Sequence, residues 1–224
     1  MRAPFALVLA TVATLTSPAL AADPRQEAAN PTAASLRPID ELLASLPIPK
    51  TYMRVRASDV AIDRQPLRLI RYERTDDRNS DLGGEHVSVL VDRWGRLRGF
   101  TRLDLALREG ELPRPDEAEA IARAFLARHA PDLAGTDLVV AAVTPHERLI
   151  QADDEAVPIG GMKVKMRHGE AGRWLWVTVG SDRDVMSFER DVVWSGESGG
   201  PQSDRWLDDN WLGRALDRLG GRGA

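Results

Sequence analysis

The chain has 224 residues, 30 basic and 34 acidic side chains, a net charge of −4 and no cysteine. Lack of cysteine excludes disulfides, thiolate metal sites and a lipid-modified cysteine, so stability must come from a hydrophobic core. Mixed, nearly balanced charge with no dense arginine block gives no nucleic-acid footprint.

Residues 1–21, MRAPFALVLATVATLTSPALA, place one early arginine before an apolar run, then Pro18 and the small pair Ala19 and Ala21 around Leu20. That order predicts a secretory signal peptide cleaved near Ala21, and hence a periplasmic or secreted protein. No later run approaches the roughly 20 apolar residues that span a bilayer, so no membrane span is expected in the mature chain. Residues 22–35, rich in Ala, Pro and polar side chains without apolar period, read as a flexible leader.

A first unit is expected over 36–110. PIDELLASLP predicts a short helix with Ile39, Leu42, Leu43 and Leu46 at helical spacing. TYMRVRASDVAI, PLRLIRYER, HVSVLVDR and RLRGFTRLDL follow as four alternating strands.

A second unit is expected over 111–195. PRPDEAEAIARAFLARHAPD carries Pro115 at the first helical position, acids in the first turn, and Ala118, Ile121, Ala122, Phe125 and Leu126 on one apolar face. DLVVAAVTP, GMKVKMRH, RWLWVTVG and DVMSFERDVVW then predict four more strands. Residues 87–102 align without a gap on 175–190, pairing Val89 with Val177 and Phe100 with Phe188, which suggests an internal duplication. The fold class expected is α+β: two units, each a helix with a four-stranded antiparallel sheet, side by side, with a C-terminal amphipathic helix.

The helix opening DEAEAIARAFL, preceded by VSVLVDRWGRLRGF and followed by antiparallel strands, resembles the PepSY-type domains of exported bacterial proteins. The resemblance implies a helix cradled by a cystatin-like antiparallel sheet. It also implies a binding or inhibitory module tied to peptidases or envelope processes, without catalytic residues.

Residues 196–224 read as a Gly/Ser linker and a final helix. GESGGP resembles the GDSGGP around the nucleophile of chymotrypsin-like serine peptidases, and a serine hydrolase using Ser198, with His86 and Asp104, is the competing reading. Against it, the His86-to-Asp104 interval is far shorter than in that family, only a short tail follows Ser198, and a strand followed by a loop is not a nucleophile elbow. His86, His129, His146 and His168 are dispersed, and the acid pairs Asp76/Asp77, Asp153/Asp154 and Asp208/Asp209 fall in predicted loops or at a helix start, so neither metal nor cofactor is expected.

Candidate binding residues come from GMKVKMRHGEAGRWLWVTVG. Pairing His168 with Arg173 puts Met162, Val164 and Met166 with Leu175, Val177 and Val179 on one apolar face, because a one-residue slip would mix the faces. The other face then carries Lys163, Lys165 and Arg167 beside Trp174 and Trp176, a basic and aromatic surface suited to an envelope protein or peptide. SDRWLDDNWLGRALDRLG is expected to be a helix capped by Ser203 or Asp204; its Trp206 and Trp211, also candidate binding residues, are expected to fold back over Trp174 and Trp176, the competing reading being that Trp174 and Trp176 stay exposed to grip a partner.

Overall fold

The computed structural model describes residues 38–80, 82–133, 137–169, 172–195 and 200–220. The expected signal peptide and leader, and Ser198 of GESGGP, lie outside the described residues. Among the described residues no helix is long and apolar enough to cross a membrane.

The chain runs α1 (Ile39–Ser45), β1 (Tyr52–Ile62), β2 (Gln65–Arg74), β3 (His86–Asp92), β4 (Leu97–Leu103), α2 (Pro115–His129), β5 (Leu138–Ala152), β6 (Glu155–His168), β7 (Trp174–Gly180), β8 (Val185–Val192), the short pair β9 (Trp194–Ser195) and β10 (Gly200–Pro201), and α3 (Asp209–Gly220). The expectation of two separate helix-and-sheet units is overturned. β4 pairs antiparallel with β8, so both four-stranded meanders merge into one eight-stranded sheet of order β1-β2-β3-β4-β8-β7-β6-β5. The physical reason is that each meander ends on a strand with an open edge, and pairing those edges satisfies backbone groups that would otherwise face water.

One core results. Phe100 and Phe188, opposite one another across β4 and β8, are fully buried with Val89, Val177 and Val164, and α1 and α2 supply Leu42, Leu43, Ala118, Ala122 and Phe125 above them. Pro115 opens α2, and the Glu117 carboxylate accepts a hydrogen bond from the Arg114 N–H, occupying a donor just before the helix.

β5 and β6 run further than their sequence reading, which stops β5 at Pro145. Pro145 sits on an edge strand, where a missing N–H removes no ladder bond on the open side. The acid pair Asp153 and Asp154, at φ 48° and 67°, then turns the hairpin; Asp63 and Arg64, at 49° and 68°, turn β1 into β2 in the same way. Two successive left-handed residues match the strand twist, and Asp tolerates that region better than most side chains.

The opposite face of β1–β3 is covered by the C-terminal segment. α3 starts at Asp209, later than expected, and its cap is Asp208, whose Oδ1 accepts from the N–H groups of Asn210 and Trp211. Ser203 instead accepts from the Val193 N–H. Leu207 and Leu212 pack on Leu67, Leu69 and Leu90, and Leu207 seats over Gly99, where a Cβ would stand 2.6 Å from its Cδ1.

A buried ion pair anchors this segment. The Asp209 carboxylate accepts from the two terminal Arg71 guanidinium nitrogens at 2.8 and 3.0 Å and from the Gly83 N–H at 2.8 Å. Arg71 is only 3% exposed. Asp209→Ala leaves that guanidinium with the Nε–Glu73 ion pair alone, at 2.7 Å, and a loss of up to about 3–5 kcal/mol is expected in chemical denaturation, as for removal of one partner from a buried pair. In the main core, Phe125 has its ring 5.7 Å from Phe188 and 6.3 Å from Phe100. Phe125→Ala is expected to remove about 3–5 kcal/mol by the same measurement.

Candidate functional site

The β6–β7 register is the one that apolar patterning selects: Arg167 opposes Trp174, Lys165 opposes Trp176 and Lys163 opposes Thr178. Met162, Val164, Met166, Leu175, Val177 and Val179 therefore point into the core. Alternation leaves Lys163, Lys165, Arg167, Trp174 and Trp176 together on the opposite face.

There the cations lie on the indoles. Lys163 Nζ stands 4.3 Å above the Trp176 ring, and Lys165 Nζ lies 4.3 Å from the Trp174 ring and 4.2 Å from that of Trp194. Arg167 adds a longer contact, 5.9 Å, to Trp174. Such contacts contribute about 0.5–1 kcal/mol each at exposed sites. Trp176 is buried, Trp174 is half-buried, and Trp194 is 37% exposed.

Positive charge accumulates along this ridge. Burial pulls the Lys163 ammonium below its ordinary range; Glu189 acts against the shift, while Arg205, Lys165 and Arg148 add to it. His146 is likewise held down to about 4 by burial and then by Lys163, Arg148 and Arg205. Among the described residues no ion pair reaches Lys163, Lys165 or Arg167.

Trp206 and Trp211 are not part of this surface. Their rings stack edge-on at 4.6 Å, Trp206 donates Nε1–H to the Ala61 carbonyl, and Trp206 packs with Leu207 and Leu212 against β1–β3. The expected cover of Trp174 and Trp176 by these two residues is thus replaced by cover from the lysines of the neighbouring strand. Sequence reasoning also missed Trp194, His146, Arg148 and Arg205, which reach the ridge from β9, β5 and the C-terminal segment. Only Trp194 carried a signal, as a large aromatic just past the last long strand.

His86 and Asp104, the partners considered for Ser198, are engaged elsewhere. His86 is fully buried, with Nδ1 2.9 Å from the Gly84 carbonyl and 3.3 Å from Asp209. Asp104 accepts from the Tyr52 hydroxyl and the Ala106 N–H. No group of residues able to hold a metal ion occurs among the described residues. Comparison with protein families, curated proteins and solved structures finds no match for the chain.

The buried histidines set an acid limit. Burial, Arg71 and Arg148 lower the His86 value, against Asp209 and the Gly84 carbonyl. For Asp209, burial raises the value, but His86, Arg71 and the Gly83 N–H outweigh it and the net shift is downward. A histidine depressed from 6.5 to about 4, as for His146, stays neutral when folded, while the unfolded chain takes up a proton. Stability is therefore expected to fall as pH drops from about 6.5 towards 4, and Asp209 extends the loss to lower pH. Melting temperatures across this window check it, and His146→Gln is expected to flatten the slope.

Proposed function

We propose that this protein is an exported, non-enzymatic binding or inhibitory module of the bacterial cell envelope, working in the periplasm or outside the cell. The observation that carries the reading is the ridge on β6 and β7, where Lys165 is held between Trp174 and Trp194 beside exposed Arg167. Aromatic and arginine side chains dominate the energetics of recognition surfaces. Export is supported by the signal-peptide pattern at residues 1–21, and the module class by the PepSY-type resemblance around DEAEAIARAFL.

The chain lacking residues 1–21 is expected to recover an envelope protein or peptide from extract, and Trp174→Ala with Trp194→Ala to lose it while melting at a similar temperature. A fluorophosphonate probe tests the hydrolase alternative on the same material. Labelling that disappears in Ser198→Ala would overturn the binding reading.

A further inference from the structure

The two halves of the sheet are related residue by residue. On β3 and β4 the pairs are Ser88↔Thr101, Val89↔Phe100, Leu90↔Gly99 and Val91↔Leu97. On β7 and β8 they are Trp176↔Glu189, Val177↔Phe188, Thr178↔Ser187 and Val179↔Val185, with the irregularity at the same step. The strands meet at Phe100↔Phe188, flanked by Gly99↔Glu189 and Thr101↔Ser187, which is the pairing a local two-fold axis between the halves requires.

That correspondence extends one strand outward. Arg71 opposes Ser88, and Lys165 opposes Trp176, so Arg71 and Lys165 occupy equivalent places on the outer face. Glu73 opposes His86 just as Arg167 opposes Trp174. In the first half this place is filled: α3 lies over it and its first-turn Asp209 neutralises Arg71. In the second half the cation and its neighbours remain, and no carboxylate of a described residue pairs with Lys163, Lys165 or Arg167.

We infer that the ridge Lys163–Lys165–Arg167, with Trp174 and Trp194, is the docking surface for an acidic amphipathic helix of a partner protein. This rests on the binding reading above and names the partner's chemistry. The spacing supports a helix lying along β6. Successive cations on one strand face repeat every ~6.7 Å, and carboxylates at i, i+4 and i+8 of a helix repeat every ~6 Å, a mismatch long side chains absorb. Trp194 and the half-buried Trp174 offer apolar edges beside the cations, which an amphipathic helix meets and a simple polyanion does not. Charge complementarity decides the sign, since Arg205, Lys165 and Arg148 act on Lys163 with Glu189 opposing them, and no ion pair among the described residues engages Lys163, Lys165 or Arg167.

The test uses the chain without residues 1–21 and a fluorescein-labelled 18-residue peptide (~27 Å as a helix) with Glu at i, i+4 and i+8 and Leu on the adjacent face. A matched peptide with Lys for Glu, oligoglutamate and heparin are compared beside it. Saturable binding of the Glu/Leu peptide alone is expected, weakening with salt and quenching tryptophan emission. Lys165→Glu with Arg167→Glu is expected to weaken it about tenfold or more, the effect of reversing two pairing charges. Arg167→Ala, at an exposed side chain, keeps the test valid if the double variant fails to fold, and is expected to weaken binding severalfold. Equal binding of the Lys peptide, equal binding of oligoglutamate or heparin, or unchanged affinity in the folded variants would each overturn the inference. If extract capture still depends on Trp174 and Trp194 while the Glu/Leu peptide does not bind, the helix inference falls and the binding reading stands; loss of both sinks both.

Discussion

The pairing of β4 with β8 is the constraint on which the rest of the molecule depends. Three residue pairs centred on Phe100 and Phe188 turn two four-stranded meanders into one sheet. β3, β4, β7 and β8 thereby become central strands, buried along nearly their whole length on both faces. A sheet buried on both sides needs cover on both sides. α1 and α2 provide it on one face, over a core shared by the two halves.

On the other face Leu107, in the turn 105–108, covers Leu103, Ile150, Ile159 and Met186, and the remainder is covered in two ways. Over the first half the chain supplies its own C-terminal segment: Leu207 and Leu212 fill the apolar surface, and Asp209 satisfies the buried guanidinium of Arg71. Over the second half, long cationic side chains lie across the indoles, so aliphatic stems shield apolar rings while ammonium groups stay near water. The first solution closes a surface with the packed segment Leu207–Leu212 and a neutralised charge. The second leaves net positive charge along an accessible ridge, and this difference between equivalent positions motivates the functional reading.

Much of the local structure was legible in the residues. The β6–β7 register follows from Met162, Val164 and Met166 facing Leu175, Val177 and Val179, because alternation tolerates no slip when one face is buried. α2 was legible from Pro115, its first-turn acids and the Phe125 face. The extension of β5 past Pro145 was not, since proline is a strand breaker except on an open edge, and edge position is a property of the assembled sheet. The α3 boundary was misread because Ser203, Asp204 and Asp208 are all good capping residues, and the path of 203–208 across Gly99 selects Asp208.

By itself the sequence determined which segments are strands and helices, which side chains share a face, and that lysines and tryptophans lie together on β6 and β7. Those properties depend on short-range periodicity, carried within a few residues of one another. Only the tertiary structure decided that two meanders form one sheet, that α3 covers β1–β3 rather than the tryptophan ridge, and that Trp194 joins the ridge. The Arg71–Asp209 contact links residues 138 apart in sequence, and an amphipathic stripe states only that a helix needs an apolar partner. Which of two equivalent sheet faces receives it depends on Gly99 leaving room for Leu207 and on Arg71 requiring a buried carboxylate, both long-range conditions.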